Sequence, residues 1–343
     1  MNELATLNST LNSALNSEKY KDLELSVKVK GYLSQAMAEN TKLSYQDALA
    51  KFYKEGYEIP ATPVQIAEYI SNVKIKNGET PSMATLKVWL AALGMAHKSL
   101  GFANPCDSTL VSQTFRGMKR THGTAQRQAR PLLFDDITKM TQADLFGGYQ
   151  KVKEIRDMAL ILVGFSGMFR RAELVALLLS DLTETTEGFV VWLRRSKTDQ
   201  MGQGRKVGIP RAAQASEEAS EEENVEAVCP VKALAAWVTT LKQQEITTGP
   251  VFRHVDKGGV IGENLHARSV SRILKYHAEK AGIDPTLVSG HSLRAGAATE
   301  LAIRGVDLWK VQQQGGWKNT RTLVERYIRG ARIFADNAMA EIW

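Results

Sequence analysis

The sequence predicts a mainly α-helical protein with one small β-sheet, organised as an N-terminal helical bundle followed by an α+β domain. Three observations carry this reading. Residues 22–122 show apolar positions at helical spacing throughout, and the period switches to two only around residues 188–210. The 343 residues also exceed what one ordinary core accommodates. A hydrophobic fraction of 43% with 24% charged residues is that of a folded globular chain and excludes general disorder.

Residues 1–21, rich in Asn and Ser, read as a loose N-terminal arm. They lack the basic-then-apolar order of a signal peptide. In "TKLSYQDALAKFYKEGYEI" the residues Leu43, Ala50 and Phe52 are expected to form the apolar face of a helix. "TPVQIAEYISNV" opens with Thr62–Pro63, a cap followed by proline in the first turn. "SMATLKVWLAALGMAHKSLGF" opens on Ser82 as N-cap and closes at Gly101, with Trp89 expected to pack inward. The basic, polar run around Gly123 and Pro131 marks a linker over residues 123–131. It separates a helical domain, 22–122, from a second domain, 132–343.

The second domain begins with "LFDDITKM", expected as an Asp-capped helix. "MALILVGFSGMF", residues 158–169, is too short to span a bilayer and reads as a core helix. "GFVVWLRRSKTDQ" and "GRKVGIPR" alternate as strands joined by a Gly-rich turn. Residues 211–228 hold six glutamates and no lysine, the composition of a solvated loop that a phosphate backbone repels. "CPVKALAAWVTTL" restarts a helix with Pro230 in its first turn. The tail repeats Ile333, Phe334, Ala338, Met339, Ile342 and Trp343 at roughly helical spacing.

The net charge is +7, and residues 1–130 hold 16 Lys plus Arg against 11 Asp plus Glu. That excess suits a polyanion such as nucleic acid. Cys106 and Cys229 match no metal-ligand spacing and fit a reducing compartment. A cytoplasmic protein with no membrane partner is expected.

The chemistry gathers in "GHSLRAGAATELAIRG", residues 290–305. His291 and Arg294, three apart, would share a helix face, and the small residues Ala295 to Ala298 would let a neighbour approach closely. Alone, such a pair is an ordinary structural one. Its company changes the reading: Arg170 and Glu173 in "FRRAEL", Lys197 at the hairpin turn, Gly-Gly-Trp ending at Trp317, and Tyr327 ten residues on. This ordered set resembles the tyrosine recombinase (phage integrase) family. The layout resembles it over residues 30–335, while the motifs lie in the second domain.

The resemblance implies a SAM-like core-binding domain, an α+β catalytic domain, and a C-shaped clamp around duplex DNA. It implies that Tyr327 attacks a phosphodiester to give a 3′-phosphotyrosine. Arg170 and Arg294 would clamp nonbridging oxygens with planar donor forks, and Lys197 would protonate the leaving 5′-oxygen. His291 and Trp317 would assist at the phosphate, and Glu173 would orient an arginine or the His291 helix. No cofactor or metal is implied. Thr41, Lys42, Ser44, Ala84 and Lys87 would face DNA, with Arg171, Arg195 and His266 as further candidates; Arg171 would face backbone or an acidic neighbour. A homodimer on inverted-repeat half-sites, a homotetramer in the synapse, and a C-terminal helix, about 332–343, docked on a neighbouring protomer are implied too. Type IB topoisomerases, telomere resolvases and a catalytically silent DNA-binding protein are the rivals. His97, His122, His254 and His277 carry no partner pattern, and the other tyrosines read as packing or surface residues.

Overall fold

A computed structural model describes residues 26–124, 129–142, 150–196, 199, 202–212 and 228–325. The expectations for the N-terminal arm, Lys197, most of the acidic segment, Tyr327 and the C-terminal helix lie outside the described residues. The chain divides into two compact units, Met1–Arg127 and Gln128–Trp343.

The first unit is helical: α1 (Val27–Gln35), α2 (Glu39–Lys54), α3 (Pro63–Asn72), α4 (Met83–Ser99) and α5 (Thr109–His122). The helix starts follow the caps in the sequence. The Thr62 hydroxyl accepts from the Gln65 N–H while the Gln65 side chain reaches back to Thr62, closing a capping box. Ser82 accepts from the Thr85 N–H, and Ser108 does the same for Val111.

α2 packs on α4, and α3 on α5. Between them an aromatic cluster forms: Phe52 stands edge-on to Tyr69 with centroids 4.8 Å apart and stacks on Tyr57 at 5.2 Å. Trp89 packs against this core and stacks with Tyr69. The inward face of α2 differs from the expected one. Leu43 and Ala50 are exposed, and Ala48, Leu49 and Phe52 are buried. The helical period places 48, 49 and 52 on one stripe, and Leu43 and Ala50, seven apart, share the opposite one.

His97 has two partners that its sequence neighbours do not show. Its Nε2 accepts the Ala61 N–H at 2.8 Å, so Nδ1 carries the proton and donates to the Leu93 carbonyl at 2.8 Å. The imidazole thereby ties the loop before α3 to α4.

The second unit holds α6 (Phe134–Gln142), α7 (Gln150–Ser166), α8 (Arg171–Val175), β1 (Leu182–Glu184), β2 (Gly188–Leu193), β3 (Arg205–Pro210), α9 (Pro230–Gln243), α10 (Ala267–Lys280), α11 (Ser292–Ile303), α12 (Leu308–Gly315) and α13 (Thr320–Leu323). The predicted hairpin is β2–β3, antiparallel from Gly188 opposite Pro210 to Leu193 opposite Arg205. β1 adds an edge strand to it that the sequence reading lacked. At α6 the expected aspartate cap acts from inside the helix: the Asp136 carboxylate accepts the Leu133 N–H and an Arg130 donor.

α7 is the spine of this unit, carrying the fully buried Ala159, Leu160, Ile161 and Val163. It packs against both α9 and α11. At its polar end Asp157, buried, accepts from Arg156 Nε at 2.5 Å and pairs with His277 of α10 at 3.1 Å. His277 is thus a buried structural histidine rather than an unpartnered one. Among the described residues no helix is long and apolar enough to cross a membrane.

Two tests follow the packing. Leu86, wholly buried between helices of the first unit, should cost about 2–5 kcal/mol on change to Ala, read by urea unfolding. The Cys106 thiol is pushed up to about 11 by burial, helped by the Asp107 charge, and Cys229 is buried. Iodoacetamide at pH 8 should therefore alkylate the native protein at least about tenfold more slowly than the urea-unfolded chain.

Candidate active site

The site is assembled where α7 ends. Gly167 lies so close to the Phe169 ring that a Cβ there would approach it to 2.2 Å, and Met168 takes a left-handed backbone, φ 50°. This turn swings the Met168 carbonyl toward α11, where it accepts from Arg294 Nη1 at 2.5 Å. Two residues on, Arg170 forms the N-cap of α8.

Arg170 is held by Glu173 in two ways. One carboxylate oxygen accepts the Arg170 backbone N–H at 2.9 Å and the other its guanidinium Nη1 at 2.5 Å. Glu173 is 4% exposed, so its charge is compensated by this arginine. The Arg–x–x–Glu spacing supplies only the carboxylate half of a capping box: Glu173 reaches back to the Arg170 N–H, and the guanidinium, which cannot accept, donates to the same carboxylate. Of the two partners expected for Glu173, the structure provides the arginine.

Arg294 is fully buried, on the inner side of α11. The Trp317 indole covers it, with the guanidinium carbon 3.8 Å from the ring centroid. Trp317 reaches this position by folding back over Gly315, where a Cβ would lie 1.8 Å from the ring. Gly316 then closes α12 in the left-handed conformation, φ 66°. Both glycines of the Gly-Gly-Trp motif therefore have a steric reason.

His291 corrects the expected shared face. It is the N-cap of α11, not a residue within it, and it is exposed while Arg294 is buried. Its backbone N–H donates to Ser289 Oγ at 3.1 Å. The small-residue patch does admit a close neighbour. A Cβ on Gly296 would lie 1.7 Å from the Leu132 carbonyl oxygen, and the Leu132 N–H donates to the Ser292 carbonyl at 3.1 Å. On the other side of α11, Ala297 and Ala298 pack with Met168, Val311 and Trp317.

The remaining candidates scatter. Arg171 lays its aliphatic stem across Gly290 and donates to the Ser271 hydroxyl at 3.2 Å, so its partner is not a carboxylate. Arg195 is exposed beside the hairpin, whereas Arg194 pairs with the buried Asp181 at 2.6 Å. His266 is exposed and caps α10, its Nδ1 accepting the Arg268 N–H at 3.0 Å. In the first unit Thr41 and Lys42 are half-buried, and Ser44, Ala84 and Lys87 are exposed. Lys42 lies 3.6 Å from Glu39, and the Ser44 hydroxyl donates to the Asn40 carbonyl at 2.8 Å. Among the described residues no three His, Cys, Asp or Glu side chains converge as metal ligands would.

Residues 132–332 match the model of the phage integrase family, more than half of the chain. The chain belongs to that family, the tyrosine recombinases. An integrase/recombinase XerD homolog of Selenomonas ruminantium is 33% identical over 328 residues, covering 93% of this chain and 90% of the relative. Recombinase Cre of Escherichia phage P1 is 24% identical over 283 residues, 79% of this chain and 76% of that one. In fold the chain resembles the XerH site-specific recombinase solved with a palindromic difH substrate. The TM-score is 0.61 at 16% identity, covering 99% of this chain and 88% of the other.

Within the tyrosine recombinase frame, the structure brings Arg170, Glu173, Arg294 and Trp317 together around the Met168 turn. His291 sits at the head of the helix that carries Arg294. The reading from sequence missed the Met168 carbonyl, the Ser271 partner of Arg171, and two groups beside Trp317, Arg205 and Gln314. A carbonyl carries no residue-type signal, and Gln314 sits unremarked within "QQQGGW".

Gly296 offers a local test. Gly296→Ala must push the Leu132 backbone away, and a loss of about 1–3 kcal/mol in urea unfolding is expected.

Proposed function

We propose that this tyrosine recombinase cuts and rejoins duplex DNA at paired inverted-repeat sites through a 3′-phosphotyrosine intermediate, in the manner of Cre. The observation that carries the reading is the anchoring of both arginines at the Met168 turn, Arg170 two residues beyond it and Arg294 bonded to its carbonyl. Each is fixed by a separate anchor, Glu173 for the first and Met168 with Trp317 for the second.

The Tyr327 hydroxyl attacks phosphorus, the bond to the 5′-oxygen breaks, and Lys197 gives that oxygen a proton. Arg170 and Arg294 hold the nonbridging oxygens as charge builds on them, using side chains already oriented before DNA arrives. His291, exposed at the N-terminus of α11, accepts the tyrosine proton or donates to the phosphate. Trp317 keeps the Arg294 guanidinium in plane and adds its indole donor. Glu173 acts by holding Arg170. The phosphotyrosine retains the energy of the broken bond, so religation calls on no nucleotide, metal or other cofactor.

Two protomers bind inverted half-sites, and two such pairs form a homotetrameric synapse. The C-terminal helix, about 332–343, docks on a neighbouring protomer. In the helical unit Thr41, Lys42, Ser44, Ala84 and Lys87 face DNA, joined by Arg171, Arg195 and His266 in the catalytic unit. The enzyme works in the cytoplasm, on nucleoid, phage or plasmid DNA. Similarity to a recombinase over 93% of this chain favours recombination over type IB relaxation.

Covalent trapping tests this. Nicked duplexes from inverted repeats flanking the gene should yield a protein–DNA adduct on denaturing gels, and Tyr327→Phe should yield none. An equal adduct from the variant would assign the nucleophile elsewhere. Absence of any adduct, with binding intact, would favour the silent DNA-binding rival. Binding should also weaken by about tenfold or more between 50 and 200 mM salt as phosphate contacts release counterions.

A further inference from the structure

Arg205, the first residue of β3, belongs to none of the motifs above, yet it lies against the site. Its Nη1 donates to the Gln314 carbonyl at 2.9 Å and to the Gln313 carbonyl at 3.4 Å. A Cβ on Gly316 would meet its Nε at 2.7 Å, so the guanidinium lies directly on the turn that presents Trp317. Its Nη2 is buried and, among the described residues, has no hydrogen-bond partner. The charges of Glu173 and Arg170 both act on it, the first favouring its cationic form and the second opposing it.

A structural arginine is rarely left like this. Burial lowers its pKa from the usual value; the Glu173 charge opposes that shift and the Arg170 charge adds to it. Two carbonyl bonds at a helix C-terminus recover part of the cost of burial.

The same turn is braced from other sides. Gln314 Nε2 donates to the Ser166 and Gly208 carbonyls at 3.0 and 2.9 Å, and Gln312 donates to the Trp317 carbonyl at 3.1 Å. Arg205 is the one charged member of this bracing set, and it stands at the loop end of the β2–β3 hairpin, opposite Leu193.

We propose that Arg205 is a positioning residue for strand transfer: it holds the Gly315–Trp317 turn, and through Trp317 the Arg294 clamp. The inference rests on the phosphotyrosine reading above. Loss of Arg205 should therefore weaken stabilisation of charge on the nonbridging oxygens and leave DNA binding nearly unchanged.

The test compares single-turnover adduct formation on a nicked duplex the wild-type enzyme cleaves and on the same duplex with a methylphosphonate at the scissile position. The methyl group removes the charge the arginines meet. Arg205→Met should slow adduct formation about 10–100-fold on ordinary DNA and come within about threefold of wild type on the methylphosphonate, with Arg205→Lys between. Gel-shift affinity should change less than about twofold. Urea midpoints of both variants show whether they fold.

A wild-type rate for Arg205→Met on ordinary DNA overturns the proposal. So does a defect of equal size on both substrates, which is the mark of a merely structural loss. Arg170→Ala is the control for the underlying reading. If the methylphosphonate fails to restore that variant, the arginine clamp itself falls, and the inference with it. If Arg170→Ala is restored and Arg205→Met is not, only the inference fails.

Discussion

The site depends on a guanidinium withdrawn wholly from water. Arg294 cannot change its protonation state to escape burial, so the surrounding chain must supply what water no longer does. It does so with a carbonyl from the Met168 turn and the face of the Trp317 ring. Several features without other explanation follow from this demand. Met168 adopts a left-handed backbone that costs of order 1 kcal/mol, because that conformation aims its carbonyl at the arginine. Gly315 has no side chain, because Trp317 needs its space.

A second consequence concerns α11. A helix that must present one large cation inward and accept neighbours on its other sides has little room left, and small residues are the solution. Gly296 admits the Leu132 backbone, and Ala297 and Ala298 admit Met168 and Trp317. The far end of the same helix is tied down as well, where Glu300 accepts the Phe134 N–H at 3.1 Å and an Arg304 donor at 2.7 Å. α11 is thus fixed along its length against α6 and α7. The Arg156–Asp157–His277 cluster fixes α10 to α7 in the same manner.

What could be read from residues alone divides along physical lines. Helix starts at Thr62, Ser82 and Pro230 and the β2–β3 hairpin were legible because caps, proline and period-two alternation are local signals. The pairing of Arg170 with Glu173 was legible because residues three apart at a helix start lie within reach of each other. The inward face of α2 was not, since one apolar residue in the wrong register, Leu43, looks no different from one in the right register. The histidines show the same limit. His97 and His277 acquire partners 36 and 120 residues away, which no local pattern encodes. His291 was placed one position too far into its helix, because the spacing of two side chains does not say where the first helical residue lies.

The amide of Gln314 spans elements that are distant in sequence. One –NH2 group holds the end of α7 through Ser166 and the middle of β3 through Gly208, while its own backbone carbonyl receives Arg205. Sheet, spine helix and tryptophan turn are pinned through one side chain, much as a single rivet joins three plates. A force applied to the hairpin by a bound duplex would tilt all three together rather than bend the joint. Such an assembly keeps Trp317 in register over Arg294 when the sheet is pushed, with little slack between the parts.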